Sequence, residues 1–222
     1  MSIEISFEQK KEPLEFDSAS DFQLAKKLIG YVEVNDEKKR LRIFLEGREK
    51  GLKVKSPASM SELSNTNFDV PNTEKERQEF PLAEKAREIA SEGKYMEAVE
   101  IVANLETKLL RAHTFGFFTE ILDRDSIDAT PVFILAMDSV RDFLNDDIDS
   151  LDAVSGVEMA EEVLNKACEL GYFNVVRMSA ERMMDLAANH KELHRDLLIS
   201  VVSILINSAG LQKEDGLSDQ EI

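Results

Sequence analysis

Apolar residues recur at intervals of three and four along residues 81–210, and this periodicity constrains the fold more than any other feature of the chain. A repeat close to 3.6 residues places such side chains on one face of an α-helix. Seven segments follow the pattern, and in the last of them Leu193, Leu197 and Val201 share a face. Because short turns separate the segments, we expect seven helices that pack as a bundle or as a solenoid of helical hairpins.

Helix-start signals support this division. Thr73-Glu-Lys-Glu76 and Ser155-Gly-Val-Glu158 both match the capping-box pattern, in which the side chains of the first and fourth residues bond each other's backbone. Pro81 opens a further apolar-periodic stretch, and Thr130-Pro131 places a proline directly after a capping threonine. We therefore predict helix starts at these positions.

The N-terminal part instead has the pattern of short strands around one helix. Ile3, Ile5 and Phe7 alternate with polar residues, which is typical of a strand, whereas residues 21–29 have a helical apolar face that ends at Gly30. Polar turns then separate three further predicted strands, at residues 30–34, 40–45 and 52–55. We expect an α+β fold, in which a small antiparallel β-meander with one helix precedes the all-helical part.

Composition predicts where these parts meet. The stretch from residue 56 to residue 80 is rich in Ser, Asn, Thr and Pro, which is typical of an extended linker and of protease cleavage. The predicted organisation is a small α+β domain at 1–55, a linker at 56–80, a helical domain at 81–210 and an acidic tail at 211–222.

Charge is distributed unevenly along the chain. Of a net charge of −17, residues 1–80 contribute little, with 14 basic and 16 acidic side chains, whereas residues 81–222 have 13 basic and 28 acidic ones. Such an acidic body is repelled by nucleic-acid phosphates and anionic membranes, and it attracts basic proteins. The alternative is that the charge only keeps the protein in solution.

Two acidic clusters lie at predicted helix ends and turns. We name the first the loop cluster; it consists of Glu120, Asp123, Asp125 and Asp128. We name the second the helix-end cluster; it consists of Asp142, Asp146, Asp147, Asp149 and Asp152. Side chains at such positions are usually exposed, so we expect both clusters to rim a groove that binds a basic protein or peptide helix. The leading hypothesis is a noncatalytic interaction protein: an adaptor, an assembly chaperone or an inhibitor of a basic toxin or nuclease.

A basic set near the N-terminus supports an alternative function. It consists of Lys38, Lys39, Arg40, Arg42, Lys53 and Lys55. On strands, these side chains would form a basic sheet face that holds phosphate backbones, which predicts an accessory nucleic-acid-binding protein. Tyr31 and Phe44 are the only candidates for the aromatic residues on which bases stack. The basic set could equally be a solvated face, or it could pair with the acidic half of the chain.

Residues 82–105 contain the pattern A-x6-G-K-Y-x-E-A, which has the spacing of a helical hairpin. Its residues are Ala86, Gly93, Lys94, Tyr95, Glu97 and Ala98. With them the segment resembles one tetratricopeptide repeat, and residues 160–184 resemble it more weakly through Leu164, Gly171, Phe173 and Ala180. The family's proline at the repeat end and its 34-residue period are missing. The resemblance implies a noncatalytic groove that binds a partner's peptide or helix, whereas an ordinary bundle is the alternative.

Signals for catalysis or metal binding are weak. His190 and His194 are four residues apart but lack the adjacent glutamate of metalloprotease motifs. Asn145, Asp147 and Asp149 match the start of a calcium loop, which then departs from the pattern at its sixth and twelfth positions. We therefore expect neither an enzyme nor a bound cofactor or metal. A third hypothesis is an enzyme whose carboxylate or histidine metal ligands meet only in the folded chain.

The chain has the features of a cytoplasmic protein. Its N-terminus lacks the apolar region of a secretory signal, and the most apolar run, residues 197–206, is half the length that a membrane span needs. Cys168 is the only cysteine, so no intramolecular disulfide forms, and we expect it to be buried on a helical face. These features predict a protein of a reducing compartment with no membrane partner.

Overall fold

The structure is a computed structural model, and the part of the chain that it describes comprises residues 2–3, 14–15, 20–54, 73–146, 150–190 and 193–216. Its helices are α1 (Asp21–Ile29), α2 (Asn35–Glu49), α3 (Glu74–Ser91), α4 (Tyr95–Val102), α5 (Lys108–Ile121), α6 (Ala129–Leu144), α7 (Ser150–Glu169), α8 (Phe173–Asn189) and α9 (His194–Glu214). Two strands of two residues each, β1 (Ser2–Ile3) and β2 (Leu14–Glu15), pair antiparallel.

The predicted β-meander is wrong. Helix α1 forms as expected, with Ser20 and Gln23 making a capping box at its start. Residues 40–45, predicted as a strand, lie inside α2, and residues 30–34 and 52–54 form no strand. The sequence of α2 fits both periods, but the helix buries Phe44 and Arg48 together with Leu41 and Leu45, and it leaves Ile43 exposed. Burial of this face therefore favours the helix over the predicted strand.

Seven helices follow residue 73 in the described part of the chain, as the periodicity predicted. The capping box at Thr73 is confirmed, since its hydroxyl accepts a hydrogen bond from Glu76 N at 3.1 Å and Glu76 Oε2 accepts one from Thr73 N at 2.9 Å. Pro81 does not begin a new helix but lies inside α3. The linker predicted for residues 56–80 thus ends in helix, and its residues 56–72 lie outside the described residues.

The start of α5 is set by a carboxylate from α3. Glu79 accepts hydrogen bonds from the backbone nitrogens of Glu106 and Thr107, each at 3.0 Å. Thr107 is the residue directly before α5 and Glu106 precedes it, so this carboxylate holds the backbone that leads into the helix. The sequence predicted a single helix from Tyr95 to Leu109. The structure has two helices there instead, α4 and α5.

The capping box predicted at Ser155 is also wrong. Helix α7 continues through Ser155 and Gly156, both of which are buried. Gly156 lies against α6, and a Cβ at this position would come within 2.5 Å of Leu144 Cδ2. The glycine therefore permits close packing of two helices rather than marking a helix start.

The chain forms two compact units. The first combines both ends of the chain, residues 1–62 and 171–222, and the second comprises residues 63–170. Composition predicted a contiguous division instead, in which α8 and α9 would have belonged with α3 to α7. In the second unit, α5 packs against α3, α4, α6 and α7, and the rings of Phe115 and Phe118 meet edge to face at 5.7 Å.

Helix α9 is the centre of the first unit. It packs against α1, α2 and α8, and its buried residues include Leu197, Val201 and Leu205. By length and composition alone, α9 is the one helix of the described residues that could cross a membrane, but 72% of its apolar window is buried. Burial of this kind is typical of the core helix of a folded unit.

Candidate protein-interaction surface

The loop between α5 and α6, residues 122–128, has a defined backbone. Ser126 N donates a hydrogen bond to Asp123 O, and Ala129 N donates one to Ser126 O, both at 3.2 Å. Next to the loop, the Tyr95 hydroxyl donates a hydrogen bond of 3.1 Å to Ile121 O. The loop is therefore a series of tight turns tied to the start of α4.

The loop cluster is concentrated on this segment. Glu120, Asp123 and Asp125 are exposed, and Asp128 is half-buried directly before α6. Within the described residues, none of these four carboxylates accepts a hydrogen bond or forms an ion pair. Burial raises the pKa of Tyr95, and the charges of Asp123 and Asp128 raise it further. Exposed Arg124 lies between Asp123 and Asp125, so the four carboxylates and this arginine together leave a net charge of −3.

An exposed apolar side chain lies near the end of this acidic loop. Ile127 is 95% exposed, whereas the next most exposed large apolar residue of the described chain, Ile43, is 56% exposed. Isolated apolar residues are common on protein surfaces. Sequence reasoning did not select Ile127, because a single isoleucine in a polar loop carries no periodic signal.

The helix-end cluster differs from the loop cluster in its pairing. Asp142 Oδ2 lies 3.3 Å from Arg111 Nη2, and Asp146 forms an ion pair with Lys108. The Lys108 ammonium also donates a hydrogen bond of 3.3 Å to Asp142 O. Asp147 and Asp149 lie outside the described residues, and the side chain of Asp152, on α7, is not described either. In the described part of this cluster, the charges of Asp142 and Asp146 are therefore paired with side chains of α5.

Two glutamates of α7 extend the loop cluster, and sequence reasoning missed them. Glu158 is 9% exposed, and its Oε1 is buried without a hydrogen-bond partner. Burial raises the pKa of Glu162 above its usual value, and the charges of Glu120 and Glu158 raise it further. The misplaced capping box hid this arrangement, because it put Glu158 at a helix start rather than on a packed face.

The basic set does not form the predicted sheet face. Lys38, Lys39, Arg40 and Arg42 lie on α2, exposed Lys53 follows the helix, and Lys55 lies outside the described residues. Two residues apart on a helix, Arg40 and Arg42 point about 200° away from each other rather than to one side. Phe44 is 3% exposed and cannot stack on a base, and Tyr31 is half-buried. The aromatic platform considered for nucleic acid is therefore absent from the described part of the chain.

A buried polar network in the first unit was also not predicted. Asp21 is 1% exposed, and its Oδ2 accepts hydrogen bonds from Ser208 Oγ and Gln212 Nε2, both at 2.8 Å. Burial raises the pKa of Asp21, although these two hydrogen bonds and the charge of Arg177 oppose the rise. The network fastens the start of α1 to α9, so its role is structural.

Arg48 joins α2 to α9 in a similar way. Its guanidinium donates hydrogen bonds to Glu214 Oε1 at 3.0 Å and to Asn207 Oδ1 at 3.4 Å. Gly210 makes room for it, because a Cβ there would lie 2.3 Å from Arg48 Nε. One of the arginines next to the basic set is therefore part of the fold rather than of an exposed surface.

The two histidines considered as metal ligands lie on different elements. His190 follows the last turn of α8, and His194 is the first residue of α9, where its Nδ1 lies 3.0 Å from Ala187 O. They therefore do not share one helical face. The described residues include no group of three or more His, Cys, Asp or Glu side chains that could hold a metal ion. Cys168 is buried on α7, as predicted.

The segments that resemble tetratricopeptide repeats have turns of one geometry. Gly93 and Gly171 have φ of +81° and +84°, and the next residues, Lys94 and Tyr172, have φ, ψ of −93°, 58° and −84°, 52°. A Cβ at Gly93 would meet no atom within 4 Å, so glycine suits this position because it tolerates the positive φ and not because helices pack closely there. Ala98, by contrast, is fully buried, which fits the expected contact between α3 and α4.

No family model, curated protein or solved structure matches this chain. The class that the structure defines is a helical protein of two compact units, and its function rests on the geometry described above.

Proposed function

We propose that this chain is a noncatalytic protein-interaction protein, whose second unit binds a basic protein through the loop cluster. The observation that carries the proposal is the contrast between the two acidic clusters. The carboxylates of the loop cluster have no ion pair within the described residues, whereas Asp142 and Asp146 pair with Arg111 and Lys108. Unpaired, exposed charges of one sign steer an oppositely charged partner and accelerate its association.

The helical architecture is consistent with this class of function. Similar turns at Gly93 and Gly171 support a fold of helical hairpins related to tetratricopeptide repeats, which present partner-binding surfaces. An adaptor, an assembly chaperone and an inhibitor of a basic protein all use such a surface without chemistry of their own. We place this function in the cytoplasm.

The test compares two sets of substitutions at matched chemistry. Basic proteins retained by the full chain are identified by mass spectrometry, and their association rates are measured at 50 mM and 0.5 M salt. We expect Asp123→Asn, Asp125→Asn and Asp128→Asn together to slow association at low salt. The difference shrinks at 0.5 M, where the Debye length falls to about 4 Å.

The control is the pair Asp142→Asn and Asp146→Asn, whose charges are already paired in the fold. These changes leave the association rate close to that of the wild type. If the loop variant associates as fast as the wild type at both salt concentrations, the proposed function is wrong and the acidity serves solubility.

A further inference from the structure

Glu158 on α7 has a carboxylate oxygen that the described fold leaves without a donor. The residue is 9% exposed, and its Oε1 is buried with no hydrogen-bond partner among the described residues. Carboxylates that have lost their water are ordinarily paired with a cation or with several donors, because an isolated buried charge is costly. A donor from outside the described fold would therefore stabilise this group.

The neighbours of Glu158 add negative charge rather than the missing positive charge. Glu162 follows four positions later on the same side of α7, and Glu120 lies near the end of α5, which packs against α7. Partial burial raises the pKa of Glu162, and the charges of Glu120 and Glu158 raise it further. Lys166, one turn beyond Glu162, forms no ion pair within the described part of the chain. The carboxylates therefore repel one another without a described cation between them.

The exposure of the three carboxylates indicates the kind of cation that fits. Glu120 and Glu162 reach the solvent, whereas Glu158 is buried. No three His, Cys, Asp or Glu side chains of the described residues converge closely enough to hold a metal ion. A lysine ammonium or an arginine guanidinium does not need such tight convergence, since each presents several N–H donors on a long apolar stem. Either group brings the donor that Glu158 lacks.

We propose that Glu158, Glu162 and Glu120 receive one lysine or arginine side chain of the basic partner, in a site between α5 and α7. The inference rests on the proposed function and names the position at which the partner inserts a cation. The exposed carboxylates attract this side chain, and Glu158 accepts its hydrogen bond away from water, where a charged hydrogen bond is strong. Glu120 also belongs to the loop cluster, so the site adjoins the surface that brings the partner to it.

The first experiment uses the free chain and tests whether the carboxylate of Glu158 has a partner within the fold. Glu158→Gln removes the charge and keeps the shape of the side chain, so we expect the melting temperature to rise. Glu169→Gln is the control, because Glu169 is an exposed glutamate of the same helix, and it should leave the melting temperature nearly unchanged. A fall in the melting temperature of Glu158→Gln would reveal a structural partner and overturn the proposal.

The second experiment measures the complex with the basic protein that the full chain retains. We expect Glu158→Gln to raise the dissociation rate about 10- to 100-fold at both 50 mM and 0.5 M salt, because a buried charged hydrogen bond is strong and poorly screened. Glu169→Gln should leave this rate unchanged.

Double-mutant cycles identify the inserted side chain. Each lysine and arginine on the partner's surface is changed to alanine and combined with Glu158→Gln, and dissociation rates are measured for every pair. We expect one of these cations to couple to Glu158 and the others to act independently of it. Coupling to none of them overturns the proposal.

The outcomes distinguish the two proposals. If neutralising Asp123, Asp125 and Asp128 slows association but Glu158→Gln leaves dissociation unchanged, binding through the loop cluster stands and the site between α5 and α7 is wrong. If neither set changes the kinetics, this site and the proposed function both fail.

Discussion

Arg48 and Asp21 are charged side chains that the first unit buries, and each fastens an N-terminal helix to α9. Their hydrogen-bond partners Glu214 and Ser208 are 166 and 187 positions away in the sequence. Removing the partner of a buried polar group costs about 1–3 kcal/mol, because the buried group is left without its hydrogen bond. These two side chains therefore link α1 and α2 to α9 within the first unit.

His113 makes the stability of the second unit depend on pH. Burial lowers the pKa of this imidazole to about 4, and the nearby Arg87 charge contributes. The unfolded chain takes up a proton below its ordinary pKa near 6.5, whereas the folded chain stays neutral until about pH 4. Stability is therefore fully present above pH 6.5 and is lost as the pH falls from there toward 4.

We expect the free energy of unfolding of the wild type to fall by about 1–2 kcal/mol more between pH 7 and pH 5 than that of His113→Gln, which has no titrating group at this position. Urea unfolding at both pH values measures the difference. The imidazole titration followed by NMR is an independent check, and a midpoint near 6.5 would contradict the account.

At the scale of the residue, the sequence located charges but not their pairing. Asp123 and Asp142 both read as acidic positions at helix ends, and both are exposed in the structure. Only the fold brings Arg111 to Asp142, because α5 and α6 meet side by side, whereas Asp123 forms no ion pair within the described residues. Ile127 likewise has no pattern around it, and its exposure follows from the turns of its loop.

Packing between α6 and α7 depends on the absence of one side chain. A Cβ at Gly156 would lie 2.5 Å from Leu144 Cδ2 and 3.2 Å from Phe143 Cδ1, within the buried contact of the two helices. Gly116, in α5 of the same unit, has open space where its Cβ would be. These two helical glycines therefore give opposite expectations for one substitution.

We expect Gly156→Ala to reduce the free energy of unfolding by about 1–3 kcal/mol, the usual effect of overpacking. Gly116→Ala should instead increase it by about 0.5–1 kcal/mol, because alanine favours helix over glycine. Thermal and urea unfolding of both variants measure the effects. Equal changes of the same sign in the two variants would mean that the helices do not meet at Gly156.

The type of an element could be predicted where the apolar residues follow the helical period alone, as in α6 and α9. It could not be predicted where they fit both the helical period and the strand period. In α2, Leu41 and Leu45 suit a strand with Ile43 or a helix with Phe44. The structure buries Phe44 and leaves Ile43 exposed, so the helical face is the one that packs. This choice depends on the apolar surface of α9, which lies about 160 residues further along the chain and which no local pattern contains.

The first unit contains segments from both ends of the chain, and this arrangement predicts how the fragments behave after cleavage. Composition predicts protease cleavage within residues 56–72, and contiguous domains would then separate. In the structure α1 and α2 pack against α9, so the two fragments should stay together after the cut.

A specific protease site inserted within residues 56–72 tests this directly. We expect the cleaved chain to elute as one species in size-exclusion chromatography and to separate only in denaturant. As the control, Asp21→Ala combined with Arg48→Ala should release the N-terminal fragment, because it removes the two links to α9 that buried charged side chains make. Separation of the wild-type fragments in native buffer would contradict the described first unit.

The central claim, that this chain binds a basic protein through the loop between α5 and α6, is tested most directly by a footprint of the complex. Hydrogen–deuterium exchange is measured on the full chain alone and saturated with the basic partner that it retains. The account predicts slower exchange in peptides that span residues 120–129 and unchanged exchange across residues 35–54. Protection of residues 35–54 with none at 120–129 would contradict it, and would make α2 and the residues after it the binding surface instead.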